Sequence, residues 1–292
     1  MTSIRVLKTF LAVVEQGSFA AAGNQVGLTP AAVALQIKTL EEDIKQQLFD
    51  RRGRSVVLNT SGRATALAAA DVVARYEALA SGGAGGLTGT VTMGALISSL
   101  MGSFGKALWA LRSANPHLEL KLFFGLSADF STRVEKGELD VAIITKPPRP
   151  LPKSLRWTLL YTEPLVLIAP RKPLFQASGD ALELLREAPF LRFNRNTWTG
   201  QVVDEFLRKA GVVPNDSLEL NDVSAIATLV RHGFGVSVVP QLTPSWAKDP
   251  ELRILPVPGL RVVRHVGLLE RTVHSRTAFT DAVKELLNPS AP

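Results

Sequence analysis

Between residues 18 and 44 the apolar positions fall at helical spacing and are punctuated twice. Ser18 precedes a short run whose Ala20, Ala21 and Ala22 keep one face thin enough for a neighbouring helix to approach. Gly27 ends that run and Leu28 fills the corner after it. Thr29 is a favoured N-cap, and Pro30 takes the first helical position, where its missing N–H costs nothing. From there Val33, Ile37, Leu40 and Ile44 recur at spacings of four, three and four, which makes one buried stripe. Ala31, Ala34, Leu35 and Lys38 take the opposite face. A capped helix that buries one stripe and offers its first turns outward is the recognition helix of a helix-turn-helix.

Upstream, Ile4, Leu7, Leu11 and Val14 predict a helix over residues 2–16, stopped by Gly17. Downstream, the stretch LFDRRGRSVVLN that opens at Leu48 reads as a short antiparallel pair turning at Gly53, the wing of a winged helix-turn-helix. Thr60 or Ser61 then caps a helix reaching about Leu79. Its Thr65, Ala69, Val72, Tyr76 and Leu79 alternate four and three, a coiled-coil seam that favours a dimerisation helix over simple packing on its own domain. The Ser81-Gly-Gly-Ala-Gly-Gly run is a flexible hinge by composition. It lacks the Lys-Ser/Thr of a P-loop and no strand precedes it.

After Thr88 strands and helices alternate. Strands at Val91–Gly94, Leu118–Phe124 and Leu139–Ile144, with helices at Ser99–Ala114 and Asp129–Lys136, form a βαβαβ unit with buried parallel strands. Pro147 to Pro152 breaks the rhythm. A second unit starts at residues 164–169 (PLVLIA), with helices near 199–210 and 223–232 and strands near 190, 218 and 236. The chain returns to the first unit near residue 265, with a strand at Val266–Leu269 and a closing helix at Ala278–Leu287. The fold class is therefore α/β: a winged helix-turn-helix (residues 1–60), a linker helix and hinge (61–87), and a two-lobed domain of the periplasmic-binding type (88–292). Lobe I takes residues 88–161 and 265–292, and lobe II residues 162–264. Two such lobes bind small molecules in the cleft where strand ends meet helix N-termini.

Charge changes this picture little. The 292 residues carry a formal net charge of +7, but residues 1–90 hold 9 basic and 7 acidic side chains and do not stand out. What stands out is Arg51, Arg52, Arg54 and Arg63 with no acid among them, a cluster that beside a helix-turn-helix reads as phosphate contacts. With no cysteine, disulfides and thiolate chemistry are excluded. Arg5 and Lys8 before an apolar run faintly imitate an export signal, but Glu15 interrupts it. No apolar run reaches membrane-spanning length. The expectation is a cytoplasmic protein without contact to a membrane.

Catalysis finds no support. His117, His232, His265 and His274 are scattered without ligand spacing, no Gly-x-Ser-x-Gly elbow occurs, and Gly233-Phe-Gly lacks the rest of a dinucleotide fingerprint. Neither metal nor cofactor is expected. In the two-lobed domain, Ser98 and Ser99 open a helix after the first strand, Ser127 follows the second and Thr145 the third. From the other lobe Arg195, Asn196 and Thr197 lie between a strand and a helix, and Ser224 begins another helix. Together these are the candidate ligand contacts, and a guanidinium beside helix N-termini suits a small organic anion.

The blocks FLAVVEQGSFAAA from Phe10, LTPAAV from Leu28, QIKTLE from Gln36 and LFDR from Leu48 resemble the N-terminal domain of LysR-type transcriptional regulators, in order and spacing. The resemblance continues through GELDVAI from Gly137 and VRHGFGVSVVP from Val230, and so covers nearly the whole chain. It implies a sequence-specific DNA-binding regulator that is not an enzyme. Double-stranded DNA, a small-molecule effector between the lobes, a second copy in a homodimer or homotetramer, and RNA polymerase are the implied partners. The DNA-contact candidates are Ser18, Thr29, Pro30, Ala31, Ala34, Leu35, Lys38, Arg51, Arg52 and Arg54. Many relatives carry Ser and Arg where this chain has Ala34 and Leu35, so readout here leans on methyl contacts, DNA shape and the wing. The chief rivals are a solute-binding protein and a cleft enzyme; the first should carry an export signal, and the second lacks a catalytic constellation.

Overall fold

The structure is a computed structural model that describes residues 2–50, 56–80, 86–176, 180–243, 246, 248–257 and 259–287. The wing tip with Arg51, Arg52, Gly53 and Arg54, and the hinge at 81–85, lie outside the described residues.

Three helices open the chain: α1 (Ile4–Gln16), α2 (Phe19–Val26) and α3 (Pro30–Ile44). α2 and α3 begin on the caps the sequence offers, and α1 on Ser3. Ser18 Oγ accepts from the Ala21 N–H and Thr29 Oγ1 from the Ala32 N–H, while Gly17 and Gly27 close α1 and α2 in the left-handed conformation. The tight corner depends on Gly23, where an added Cβ would sit 2.5 Å from the Leu28 carbonyl oxygen. Phe10, Val13, Val33, Ile37, Leu40 and Leu48 are fully buried and form the core of this head, with the Phe49 ring edge-on to Phe10 and Phe19.

The wing begins and ends in β1 (Phe49–Asp50) and β2 (Val57–Leu58), paired antiparallel. The long helix α4 (Thr60–Ala80) follows. Its cap is Asn59, whose Oδ1 accepts from the Gly62 N–H, rather than Thr60 or Ser61. The expected seam is also divided. Ala69 is buried with Ala66, Ala70 and Val73 against α1, the packing of an ordinary amphipathic helix, whereas Val72 and Tyr76 remain half exposed beside Leu67.

The rest of the chain is built on one curled sheet. It contains β3 (Gly89–Ala95), β4 (Leu118–Phe124) and β5 (Val141–Thr145), all parallel, with α5 (Ile97–Met101), α6 (Ser103–Ala114) and α7 (Ser127–Glu135) as crossovers. The helix expected at Ser99–Ala114 is thus two helices broken at Gly102. Next comes β6 (Leu155–Pro170), a 16-residue strand of which the sequence pattern showed only the second half. Its first half pairs with the last strand, and its second half belongs to the other lobe. That lobe contains α8 (Ala181–Glu187), β7 (Pro189–Phe193), α9 (Trp198–Ala210), β8 (Asn215–Leu220), α10 (Val223–Arg231), β9 (Ser237–Pro240) and β10 (Leu252–Leu255). There β9 and β10 flank β6 antiparallel, while β7 and β8 form a small parallel pair. The chain returns through β11 (Val263–Arg271), antiparallel to both β5 and β6, and closes with α11 (Thr277–Leu287). Among the described residues β6 and the Val262–Val263 segment carry the chain between the halves, the Leu165 N–H donating to the Val262 carbonyl at the crossing.

The head is seated on the first lobe at the end of β11. Arg271 donates to the carbonyls of Val134 and Leu139 and, at 2.8 Å, to Glu15 of α1, and Val273 packs against the head's core.

Because the α2–α3 corner leaves no room for a methyl group, Gly23→Ala is expected to cost about 1–3 kcal/mol. Chemical denaturation followed by circular dichroism measures this; an unchanged midpoint would mean that the corner yields freely.

Candidate DNA-binding face and interlobe cleft

The outward face of α3 is laid out as its pattern requires. Val33, Ile37 and Leu40 are buried, Thr29, Pro30, Ala31 and Ala34 are exposed, and Leu35 is 66 % exposed. An exposed leucine on the presented face of a capped helix is an apolar contact waiting for a partner, and the methyl group of thymine is one such surface. Lys38 is exposed and lies 3.7 Å from Glu42, an open surface pair of little energetic consequence. Ser18 is half-buried and engaged as a cap. Arg63, at the start of α4, is held by the Leu58 carbonyl and Thr60.

Between the lobes lies a cavity of about 210 Å3. The first residues of α5, α7, α9 and α10 all line it, so four helices point their positive ends at one small volume. No side chain caps α5 or α7, whereas Thr197 and Asp222 cap α9 and α10. Phe124, Phe193, Trp198 and Val223 supply apolar walls.

Of the expected ligand contacts, the cavity brings together Ser98, Ser127 and Thr197. Ser98 Oγ accepts from Arg264 and Ser127 Oγ accepts from the Thr145 N–H, so each hydroxyl keeps its proton to donate. Thr197 is spent: its hydroxyl donates to the Asn194 carbonyl and accepts from the Gly200 N–H. Ser99 and Thr145 are buried beneath the lining rather than in it, and Ser224 contacts Met101 Sδ at 2.9 Å where the lobes touch. Arg195 does not face the cavity. It is half exposed and bonded to Asp216 at 2.7 Å, because the acids of α9 and β8 draw it to the outer edge beside Arg192. Asn196, next to it, is exposed and its N–H donates to Asn194 Oδ1.

The cation at the cavity is Arg264, which sequence reasoning missed. It is 1 % exposed and pairs with Glu163 through Nε at 2.7 Å and through a second, shorter contact from the terminal nitrogen. Its other terminal nitrogen reaches Thr199 Oγ1. Glu163 stands directly opposite Arg264 in the β6–β11 ladder, its Oε1 buried with no hydrogen-bond partner among the described residues. Burial pushes the Glu163 carboxyl up, against the pull of the guanidinium, and burial followed by the charge of Glu163 pushes the neighbouring Tyr161 hydroxyl up. The missed signal was alternation: Val262, Val266 and Leu268 are inward positions of a strand, and Arg264 shares their parity.

Glu270, farther along β11, is the contrasting case. Burial raises its carboxyl, but hydrogen bonds from His274 and Lys284 outweigh burial and hold it near 2. Among the described residues no group of acids and histidines is placed to hold a metal, and no helix is long and apolar enough to cross a membrane.

With this geometry in hand, the comparisons with known proteins are direct. The family model "Bacterial regulatory helix-turn-helix protein, lysR family" matches residues 4–63, and that of the "LysR substrate binding domain" matches residues 84–291. The HTH-type transcriptional regulator CbbR of Xanthobacter flavus is 30% identical over 271 residues, covering 90% of this chain and 80% of its own. The HTH-type transcriptional activator IlvY of Salmonella typhimurium is 27% identical over 253 residues, 85% of each chain. Among solved structures, full-length CbnR complexed with its target DNA shares the fold with a TM-score of 0.57 at 21% identity, covering 98% of this chain and 100% of that one. The chain belongs to the LysR family of transcriptional regulators: it is a DNA-binding regulator controlled by a small-molecule effector.

Removing Arg264 leaves Glu163 buried without its partner, so Arg264→Met is expected to destabilise by about 3–5 kcal/mol. Adding Glu163→Leu recovers at least half of the loss in chemical denaturation; strictly additive losses would mean that the two groups do not act as a pair.

Proposed function

We propose that the effector is a small organic anion held in the cavity between the lobes, and that binding it changes how α3 and the wing are presented to DNA. The observation that carries this reading is the convergence of four helix N-termini on one cavity, two of them uncapped, with the hydroxyl protons of Ser98 and Ser127 free to donate. Arg264 adds a guanidinium already balanced by Glu163, so a monoanion is accommodated better than a ligand with several charges. The volume suits a short carboxylic acid with an apolar body against Phe193 and Trp198. The mechanism is a population shift: the effector binds one arrangement of the lobes better than another.

On this reading residues 1–60 form the DNA-binding domain, 61–87 the linker helix and hinge, and 88–292 the effector domain. Thr29, Pro30, Ala31, Ala34 and Leu35 face the major groove, with Ser18, Lys38, Arg51, Arg52 and Arg54 on the phosphates. The protein acts in the cytoplasm as a homodimer or homotetramer through the exposed Val72 and Tyr76 side of α4, engages RNA polymerase at its promoters, and catalyses nothing.

Two experiments test it. Short carboxylic acids screened by thermal shift should yield one that stabilises the wild type, and Ser98→Ala with Ser127→Ala should weaken its affinity about tenfold or more, since each loses a hydrogen bond to a charged group. Equal affinity in the double variant would sink the cavity assignment. A nuclease footprint upstream of the protein's own coding region should show protection over several helical turns with a central dyad. Arg52→Ala should weaken that protection across all sequences and lower the salt slope by about one; an unchanged slope would remove the wing from the phosphates.

A further inference from the structure

A second cavity of about 750 Å3 lies against the same crossing strands, on the other side of the wall formed by Thr145, Thr199 and Arg264. Thr145 lines this cavity and Thr199 the first one, and their hydroxyls meet at 3.1 Å. One face of α9, from Trp198 through Gln201 and Glu205 to Arg208, makes one side. The opposite side is Lys146, Pro147 and Pro148, continuous with a smaller recess formed by the rest of the proline run. Proline fixes φ and leaves no N–H to satisfy, so this wall holds its shape without a ladder to support it.

The charges facing this space are unbalanced. Lys146, Arg208, Lys209 and Arg261 line it, against Asp204 and Glu205. Both acids are engaged: Asp204 with Arg192 at 2.6 Å, and Glu205 with Lys209 at 2.7 Å. Lys146, Arg208 and Arg261 make no ion pair among the described residues, and all three are exposed to the cavity's solvent. Arg149, on the proline run, adds a further exposed cation beside the recess. Cations brought together on three different segments repel one another, and a cleft with low-dielectric walls concentrates the resulting field. The first cavity has the reverse character: it is smaller, its one lining cation Arg264 is paired with Glu163, and the Asp222 carboxylate stands at its wall.

We infer that this second cavity is a binding site for a compact polyanion, a small molecule carrying two or more phosphoryl or carboxylate groups. Arg208 and Arg261 present planar forks suited to bidentate contact with either group, and Lys146 a compact point charge. The site is separate from the one proposed above. It requires neither Ser98 nor Ser127, and its ligand needs several charges where the first needs one.

Calorimetric titration of the full-length protein with inorganic pyrophosphate, and separately with citrate, against sodium chloride of matched ionic strength, tests the inference and distinguishes the phosphoryl from the carboxylate source. Saturable binding of either probe is expected. Arg208→Gln with Arg261→Gln should weaken it about a hundredfold, roughly tenfold per guanidinium, and Lys146→Gln alone by a smaller factor. These side chains are exposed, so the variants should keep the wild-type melting temperature. Absence of saturable binding by both probes overturns the inference. So does binding that survives in the double variant at full strength, because the anion would then lie in the first cavity or on the DNA-binding face.

Discussion

The buried pair of Arg264 and Glu163 is the constraint around which the effector domain is arranged. Both charges are removed from water where β6 and β11 cross between the lobes, a placement that is unfavourable unless each group finds its partner. Because the two residues oppose each other in the β6–β11 ladder, the pair aligns those strands at the crossing. From the same guanidinium, hydrogen bonds run to Ser98 at the start of α5 and to Thr199 in the first turn of α9. One side chain therefore ties together the crossing strands and a helix from each lobe. The distance between the lobes enters its hydrogen bonding directly.

That arrangement explains why the two cavities differ. On the Ser98 side the guanidinium is satisfied by a carboxylate and hydroxyls, and the remaining attraction for anions comes from helix ends and free O–H groups. On the Thr145 side no buried acid answers Lys146, Arg208 and Arg261, because α9 spends its carboxylates on Arg192 and Lys209. Arg192 itself is nearly fully buried and takes both Asp204 and Asp216. A single buried arginine in the second lobe thus removes from the cleft an acid that would otherwise neutralise it.

The head was legible almost residue by residue, since its caps, its left-handed glycines and the stripe of Val33, Ile37 and Leu40 are all local signals. Of the parallel strands expected to be buried, β5 is legible as an apolar run, whereas β4 is an edge strand with alternate residues exposed. What was not legible depends on partners distant in sequence. β6 looked half its length because the stretch from Leu155 to Glu163 mixes apolar with polar and charged residues, and only pairing with β11 makes that a strand. Arg195 was placed at the cleft from its position after a strand, but acids contributed by α9 and β8 hold it elsewhere. Arg264 was overlooked because a charge inside a buried strand makes sense only once Glu163, a hundred residues earlier, is seen opposite it. Ala69 was assigned to the outward seam of α4 because seam and inner stripe share small residues, and burial against α1 is a tertiary fact.

β11 also connects the cleft to the DNA-binding head. Arg264 lies near its start and Arg271 at its end, seven residues apart, or about 23 Å at the rise of an extended strand. Between them the strand is fully buried from Val266 onward and paired on both sides, so it moves as a unit with β5 and β6. At the far end Arg271 holds Glu15 of α1 while anchored to the carbonyls of Val134 and Leu139. A change in how the lobes meet at Arg264 is therefore borne by a stiff element whose other end carries the head, and no flexible loop intervenes to absorb it. Such a strand transmits a displacement rather than an energy. The energetic bias is the part left to the population shift proposed above, and any change of lobe packing that it requires is registered where Ser224 meets Met101 at 2.9 Å at the cleft edge.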